Sequence, residues 1–142
     1  MNVRGKLGFV ILLVFVLAFS HVVKADRSAE KAAVAASQAW LALVDDGDYS
    51  GSWEEAAAYF KAAVPVEQWQ RSMIAFRKPL GKVVSRKLRS NHYTKTLPGA
   101  PDGEYVVIQY ETAFEHKKSA IETITPMLDE DGGWKVSGYY IK

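Results

Sequence analysis

The stretch Pro98-Gly99-Ala100-Pro101-Asp102-Gly103-Glu104-Tyr105-Val106-Val107-Ile108-Gln109-Tyr110-Glu111-Thr112-Ala113-Phe114 decides the fold class. Its first six residues carry turn chemistry, and Gly103 is expected to close that turn in a left-handed backbone conformation. Behind the turn, Val106, Ile108, Tyr110 and Phe114 fall on alternate positions, which makes one face of an extended strand apolar. The runs Lys82–Leu97, Ser119–Glu130 and Trp134–Ile141 are likewise rich in β-branched and aromatic residues. Short connections at Glu115–Lys118 and Asp131–Gly133 join them, as antiparallel neighbours require. On the last strand Trp134, Val136, Gly138 and Tyr140 are expected to share the apolar face.

Upstream of these strands the period changes. Ala29, Ala33, Ala36, Trp40, Leu43 and Val44 recur at helical spacing, with Ser28 placed as N-cap and Gly47 as a left-handed C-cap. A second helix is expected from Tyr49 or Ser52 through Ala63, with Ser52-Trp53-Glu54-Glu55 read as a capping box. Pro65 opens a third, whose buried stripe is Val66, Trp69, Met73 and Phe76, and Pro79 and Gly81 stop it. Helices first and a meander after predict an α+β domain: N-terminal helices packed on a curved four-stranded antiparallel sheet. Long strands curling under such helices would leave a cone with one open end.

The 142 residues divide into an expected export signal, 1–25, and a single domain, 26–142. Arg4 and Lys6 precede the uncharged run Leu7–Phe19, which is shorter than the roughly 20 apolar residues that span a bilayer. Val23 and Ala25 fit a small-residue cleavage rule, so the mature chain is expected to begin at Asp26 and to work in the periplasm or outside the cell. The chain contains no cysteine, which excludes disulfides and a lipidated N-terminal cysteine. Formal charge is +2 for the whole chain, but three of its 18 basic residues lie in the signal. What remains is 15 basic against 16 acidic residues, so overall charge argues for no particular partner.

Several segments together resemble the bacterial domain of unknown function 4019. They are Ala39-Trp40-Leu41-Ala42-Leu43-Val44-Asp45-Asp46-Gly47-Asp48-Tyr49, Ser52-Trp53, Pro79-Leu80-Gly81, the Pro-Gly-Ala-Pro-Asp-Gly-Glu-Tyr turn at 98–105, and Gly133-Trp134-Lys135-Val136-Ser137-Gly138-Tyr139-Tyr140. The resemblance runs from Ala29 to Ile141. It implies an exported bacterial protein with a cone similar to cystatin and nuclear transport factor 2, and it implies no catalytic residue.

Candidate chemistry is sparse. Asp46-Gly47-Asp48-Tyr49-Ser50-Gly51 imitates the start of a calcium loop, but the twelfth position is Ala57 where a bidentate Glu is needed. His92 and His116 lack the spacing of a zinc or haem site, so neither metal nor cofactor is expected. Phosphate-cradling and dinucleotide glycine motifs and a Gly-x-Ser-x-Gly elbow are all missing from the sequence. Glu122 alternates with Ala120, Ile124 and Leu128 on an apolar face, where a carboxylate in a pocket could serve as a general base. A basic segment runs free of acidic residues between Glu67 and Asp102, and Arg86, Lys87 and Arg89 within it form a candidate anion-binding patch. Alternation sets Arg86 opposite Lys87 and Arg89, so Arg86 is expected to pair with an acidic residue on a neighbouring element. Sparse stacking aromatics there and the expected export argue against nucleic acid. Two readings follow: a non-enzymatic module binding a small ligand or an anionic envelope component, with membrane contact only during export, or a small-molecule enzyme that uses Glu122.

Overall fold

The computed structural model describes residues 4–142, with side chains from Val22 onward, so the expected signal at 1–25 lies largely outside the described side chains. Helix α1 spans Arg4–Asp45. Two short helices, α2 (Tyr49–Glu54) and α3 (Ala58–Ala63), lead to α4 (Val66–Phe76) and a single 3-10 turn at Lys78–Leu80. Strands β1 (Val83–Thr94), β2 (Tyr105–Phe114), β3 (Lys117–Leu128) and β4 (Trp134–Ile141) form one antiparallel sheet in sequential order. The architecture is α+β, helices at the N-terminus against a four-stranded meander. Among the described residues no helix is long and apolar enough to cross a membrane.

Helix α1 lies across all four strands. It buries Ala33, Ser37, Trp40, Leu41 and Val44 against Val106, Ile108 and Tyr110 of β2, Ile124 of β3 and Val136 of β4. Ser37 is the polar member of that face: its hydroxyl donates to the Val34 carbonyl and meets the Tyr110 hydroxyl at 2.8 Å. The three helical tryptophans are each anchored by the indole N–H. The Trp40 indole N–H donates to the Ser52 carbonyl at 2.7 Å, that of Trp69 to the Ser52 hydroxyl at 2.9 Å, and that of Trp53 to the Val64 carbonyl at 2.7 Å. Trp69 packs edge-on against Phe60 and lies tilted against Trp40, whose ring meets Tyr139 edge-on at 5.3 Å. Rings arranged this way fill the space under the helices and satisfy their own polar atoms.

Four expectations are corrected here. Ser28 lies inside α1 and caps nothing, because the helix continues through it without a break. The expected second helix is two: Asp48, not Ser52, is the N-cap of α2, its carboxylate accepting from the Gly51 N–H at 2.9 Å. After α2 the chain turns outward so that the Ala57 N–H can donate to the Val136 carbonyl at 2.8 Å, which covers part of the β4 edge. Third, Gly103 is not left-handed; its turn places Gly99 at φ 77° instead, and Gly132 takes φ 81° in the β3–β4 turn.

Fourth, the phase of β4 departs from strict alternation. Thr125 pairs with Gly138 but Pro126 pairs with Val136, so Ser137 is an extra residue on β4. Pro126 has no N–H to give the ladder, and the bulge absorbs that gap in an otherwise central strand. Beyond Ser137 the alternation has slipped by one residue. Tyr139 therefore points into the core, and Tyr140, expected inside, is 52% exposed.

Candidate functional site

The slipped phase of β4 sets the chemistry at the open end of the sheet. Tyr139 brings its hydroxyl to Glu122 of β3 and donates to Oε2. Glu122 is fully buried on the apolar face, as its alternation requires. Its Oε1 accepts from the Thr112 hydroxyl at 2.6 Å and from Arg86 Nε at 2.7 Å, and Arg86 Nη2 reaches Oε2 at 3.2 Å. Arg86 turns inward from β1 opposite Thr112 and forks onto a second carboxylate, Asp45 at the end of α1, at 2.7 and 2.9 Å. Asp45 also accepts from Arg77, at 3.2 Å.

Two guanidinium groups and two carboxylates thus tie together α1, β1, β3 and the C-terminus of α4, with Tyr139 adding β4. Burial alone would lower the Arg86 pKa, but its hydrogen bonds to Asp45 and Glu122 outweigh that and raise it. Burial, reinforced by the adjacent Glu122, pushes the Tyr139 phenol well above its ordinary value. Both groups therefore keep their protons at neutral pH, and every oxygen lone pair of Glu122 faces a donor.

Arg77 is the C-cap of α4 and is 3% exposed. It donates to the Gly81 carbonyl at 2.7 Å, and its guanidinium lies 4.6 Å over the Phe114 ring. Its Nε is buried with no hydrogen-bond partner, so the ring face is what that edge meets. Sequence reading places Arg77 only within a basic run. Its position directly after an apolar helical stripe was the available signal that it turns inward.

Arg77 and Tyr139 form part of the wall of a groove of about 510 Å³ between α4 and the end of β4. Trp69, Met73, Phe76, Leu80, Tyr140 and Ile141 supply its apolar surface. Lys117 and Lys142 also line it, and no carboxylate side chain does. Phe76 was expected in the core stripe of α4 but is 77% exposed. It is the last residue of that helix and stands at the groove, beside the point where β4 ends. Glu122 itself does not line the groove; it sits behind Tyr139.

The candidate anion patch divides as its alternation foretells. Arg86 is turned inward, held by Asp45 and Glu122. Lys87 and Arg89 are exposed and line a shallow depression on the outer sheet face, with Lys118, Ser85 and Ser119 and with Glu111, the register partner of Lys87. A larger cleft of about 850 Å³ lies between the α1–α2 turn, α4 and the β2–β3 hairpin, and its lining mixes both signs: Asp46, Asp48, Glu67 and Glu115 with Arg71, Lys78 and Lys82. The acidic turn Asp129–Gly133 is occupied by its own bonds. Asp129 accepts from the Ala58 N–H, and Asp131 accepts from the Gly133 N–H and pairs with Lys135. Among the described residues no group of three His, Asp or Glu side chains is placed to hold a metal ion.

Sheet, overlying helices and cation-lined groove define a small α+β domain built around an apolar opening with a buried ionic base. The chain belongs to the family described as protein of unknown function DUF4019, whose model matches residues 36–139. That span holds all the members of the buried network, from Asp45 to Tyr139. No curated protein matches the chain.

Proposed function

We propose that the protein is a non-enzymatic binding module, exported from the cytoplasm, that takes a small amphipathic anion into the groove between α4 and β4. The observation that carries this reading is the lining of the groove. Its walls are aromatic and aliphatic, its volume suits a small ligand, and all its charged side chains are cationic. An acyl chain would replace water along Met73, Phe76, Leu80 and Ile141, gaining about 25 cal/mol for each Å² of apolar surface covered. A carboxylate or phosphate at the other end would meet Lys117. Export is supported by the short apolar run after Arg4 and Lys6 and by the cleavage rule met at Ala25.

In this reading Glu122 is the keystone beneath the groove and exchanges no proton with the ligand. Its oxygens already accept four hydrogen bonds, and it lies behind Tyr139. Calorimetric titration with decanoate, below its micelle concentration, tests the proposal. Decanoate should bind, and Lys117→Gln should weaken it about fivefold, the value of one partly screened charge contact. Binding of uncharged decanol should be unaffected by the same change. Failure of decanoate to bind at millimolar concentration, or equal affinity in Lys117→Gln, defeats the reading.

A further inference from the structure

We infer that the end of the molecule around the groove docks on a bilayer surface bearing anionic lipid headgroups. This goes beyond the groove ligand and rests on side chains outside the groove as well as at its lip. Val83 pairs with Phe114 and Phe114 with Lys117, so the start of β1, the end of β2 and the start of β3 share one end of the sheet, whereas β4 stops short of it, Ile141 pairing with Glu122 further along β3. Backbone bonds from Glu115 to Lys82 and from His116 to Leu80 lash the α4–β1 connection to the β2–β3 hairpin at that same end.

The side chains this end presents are of two kinds. Phe76 and Val84 are the most exposed large apolar residues among those described, at 77% and 69%, and Tyr140, which shares the groove with Phe76, is 52% exposed. Val84 is thrown outward because it is the extra residue where Val83 pairs with Phe114 and Ser85 with Ala113. Around them Lys78 and Lys82 line the adjoining cleft, Lys117 and Lys142 the groove, and Lys118 the depression on the outer sheet face, and none of these is in an ion pair among the described residues. Glu115 is the one carboxylate of the hairpin; Asp46, Asp48 and Glu67 stand across the adjoining cleft.

Large apolar side chains exposed in water are costly to leave in a cluster, and such clusters mark contact surfaces. A soluble polyanion would satisfy the lysines but leave Phe76 and Val84 in water. A bilayer interface satisfies both, with apolar side chains entering the headgroup–acyl boundary and lysines facing the negative surface potential. Docking there would also set the mouth of the groove against the lipid.

Flotation with phospholipid vesicles decides the matter. The protein should be used as recovered from its producing cell, wild type and variants carrying the same N-terminus. Wild type should float with phosphatidylglycerol-rich vesicles at low salt, float far less at high salt, and remain behind with phosphatidylcholine alone. The double change Lys82→Gln/Lys118→Gln should lower the partition coefficient about tenfold or more, as two juxtamembrane charges predict. The pair Phe76→Ser/Val84→Ser should lower it several-fold at unchanged charge. Equal partition into both vesicle types, or none into either, overturns the inference. So does loss with the lysine pair but not with the apolar pair, because that result marks capture of a soluble polyanion. Decanoate titration of Lys82→Gln/Lys118→Gln keeps the two proposals apart, since neither residue lines the groove and its affinity should stay at the wild-type value.

Discussion

Glu122 and Arg86 show how burial sets what a charged residue can do. A carboxylate at zero exposure is tolerated because a guanidinium and two hydroxyls point at it. Removing one partner leaves the others without a mate in a place water does not reach. Glu122→Ala should therefore cost about 3–5 kcal/mol, a large part of a typical domain's 5–15 kcal/mol. Replacing the pair together, Arg86→Met with Glu122→Leu, removes both charges, and urea unfolding should find the double variant more stable than Glu122→Ala. A double variant as unstable as the single one would mean that Asp45 and Tyr139 depend on the pair for their own placement. The inward side of Glu122 was legible from its alternation with Ala120 and Ile124. That Arg86 would pair with an acidic residue was legible as well, but not which one, nor that Thr112 and Tyr139 would join it, since these partners come from residues 10 to 36 positions away along the chain.

At the scale of elements, period carried the reading and local exceptions limited it. Alternation in Val106, Ile108, Tyr110 and Phe114 named the inner face of β2 correctly, and all four are buried. The same rule failed on β4 because one unpaired residue, Ser137, shifts the phase, and the cue for it lies on another strand, in Pro126. The rule also failed for Phe76. Helical spacing gives the direction of a side chain but not whether anything waits there to cover it. Turn glycines divide in the same way. Composition singled out Gly103, but the backbone at Gly132 is the left-handed one. A Cβ on Gly103 would meet only the Tyr105 ring, at 3.5 Å, an ordinary contact. Gly132→Val should therefore cost about 1–2 kcal/mol through strain in the left-handed region, and Gly103→Val less. Thermal unfolding of the two variants checks this ranking. A lower melting temperature for Gly103→Val would refute it.

Across the whole molecule, helix α1, the C-cap of α4 and all four strands meet through a single hydrogen-bonded chain, Thr112 supplying β2. That chain holds two cations and two carboxylates and ends on the Tyr139 phenol. Tyr139 consequently links global stability to alkaline pH. Burial and the neighbouring Glu122 raise its pKa well above 10, and Tyr93 is pushed up to about 12 by burial and its hydrogen bond to Glu104. In the unfolded chain both phenols titrate near pH 10. Below that pH both states hold the protons, and the stabilisation is complete. Above it the unfolded chain releases protons that the folded chain retains, so stability falls as pH rises through about 10 to 12. Each such tyrosine should contribute a slope on the order of 1 kcal/mol per pH unit in that window. Tyr139→Phe should be less stable at pH 8, because Glu122 loses a donor, yet its stability should decline less steeply between pH 10 and 11. Urea midpoints measured at pH 8, 10 and 11 on wild type and Tyr139→Phe separate the two effects. Parallel declines would show that Tyr139 gives up its proton to solvent as readily in the folded protein as in the unfolded chain, and that the network reaching from α1 to β4 is open to water at its last link.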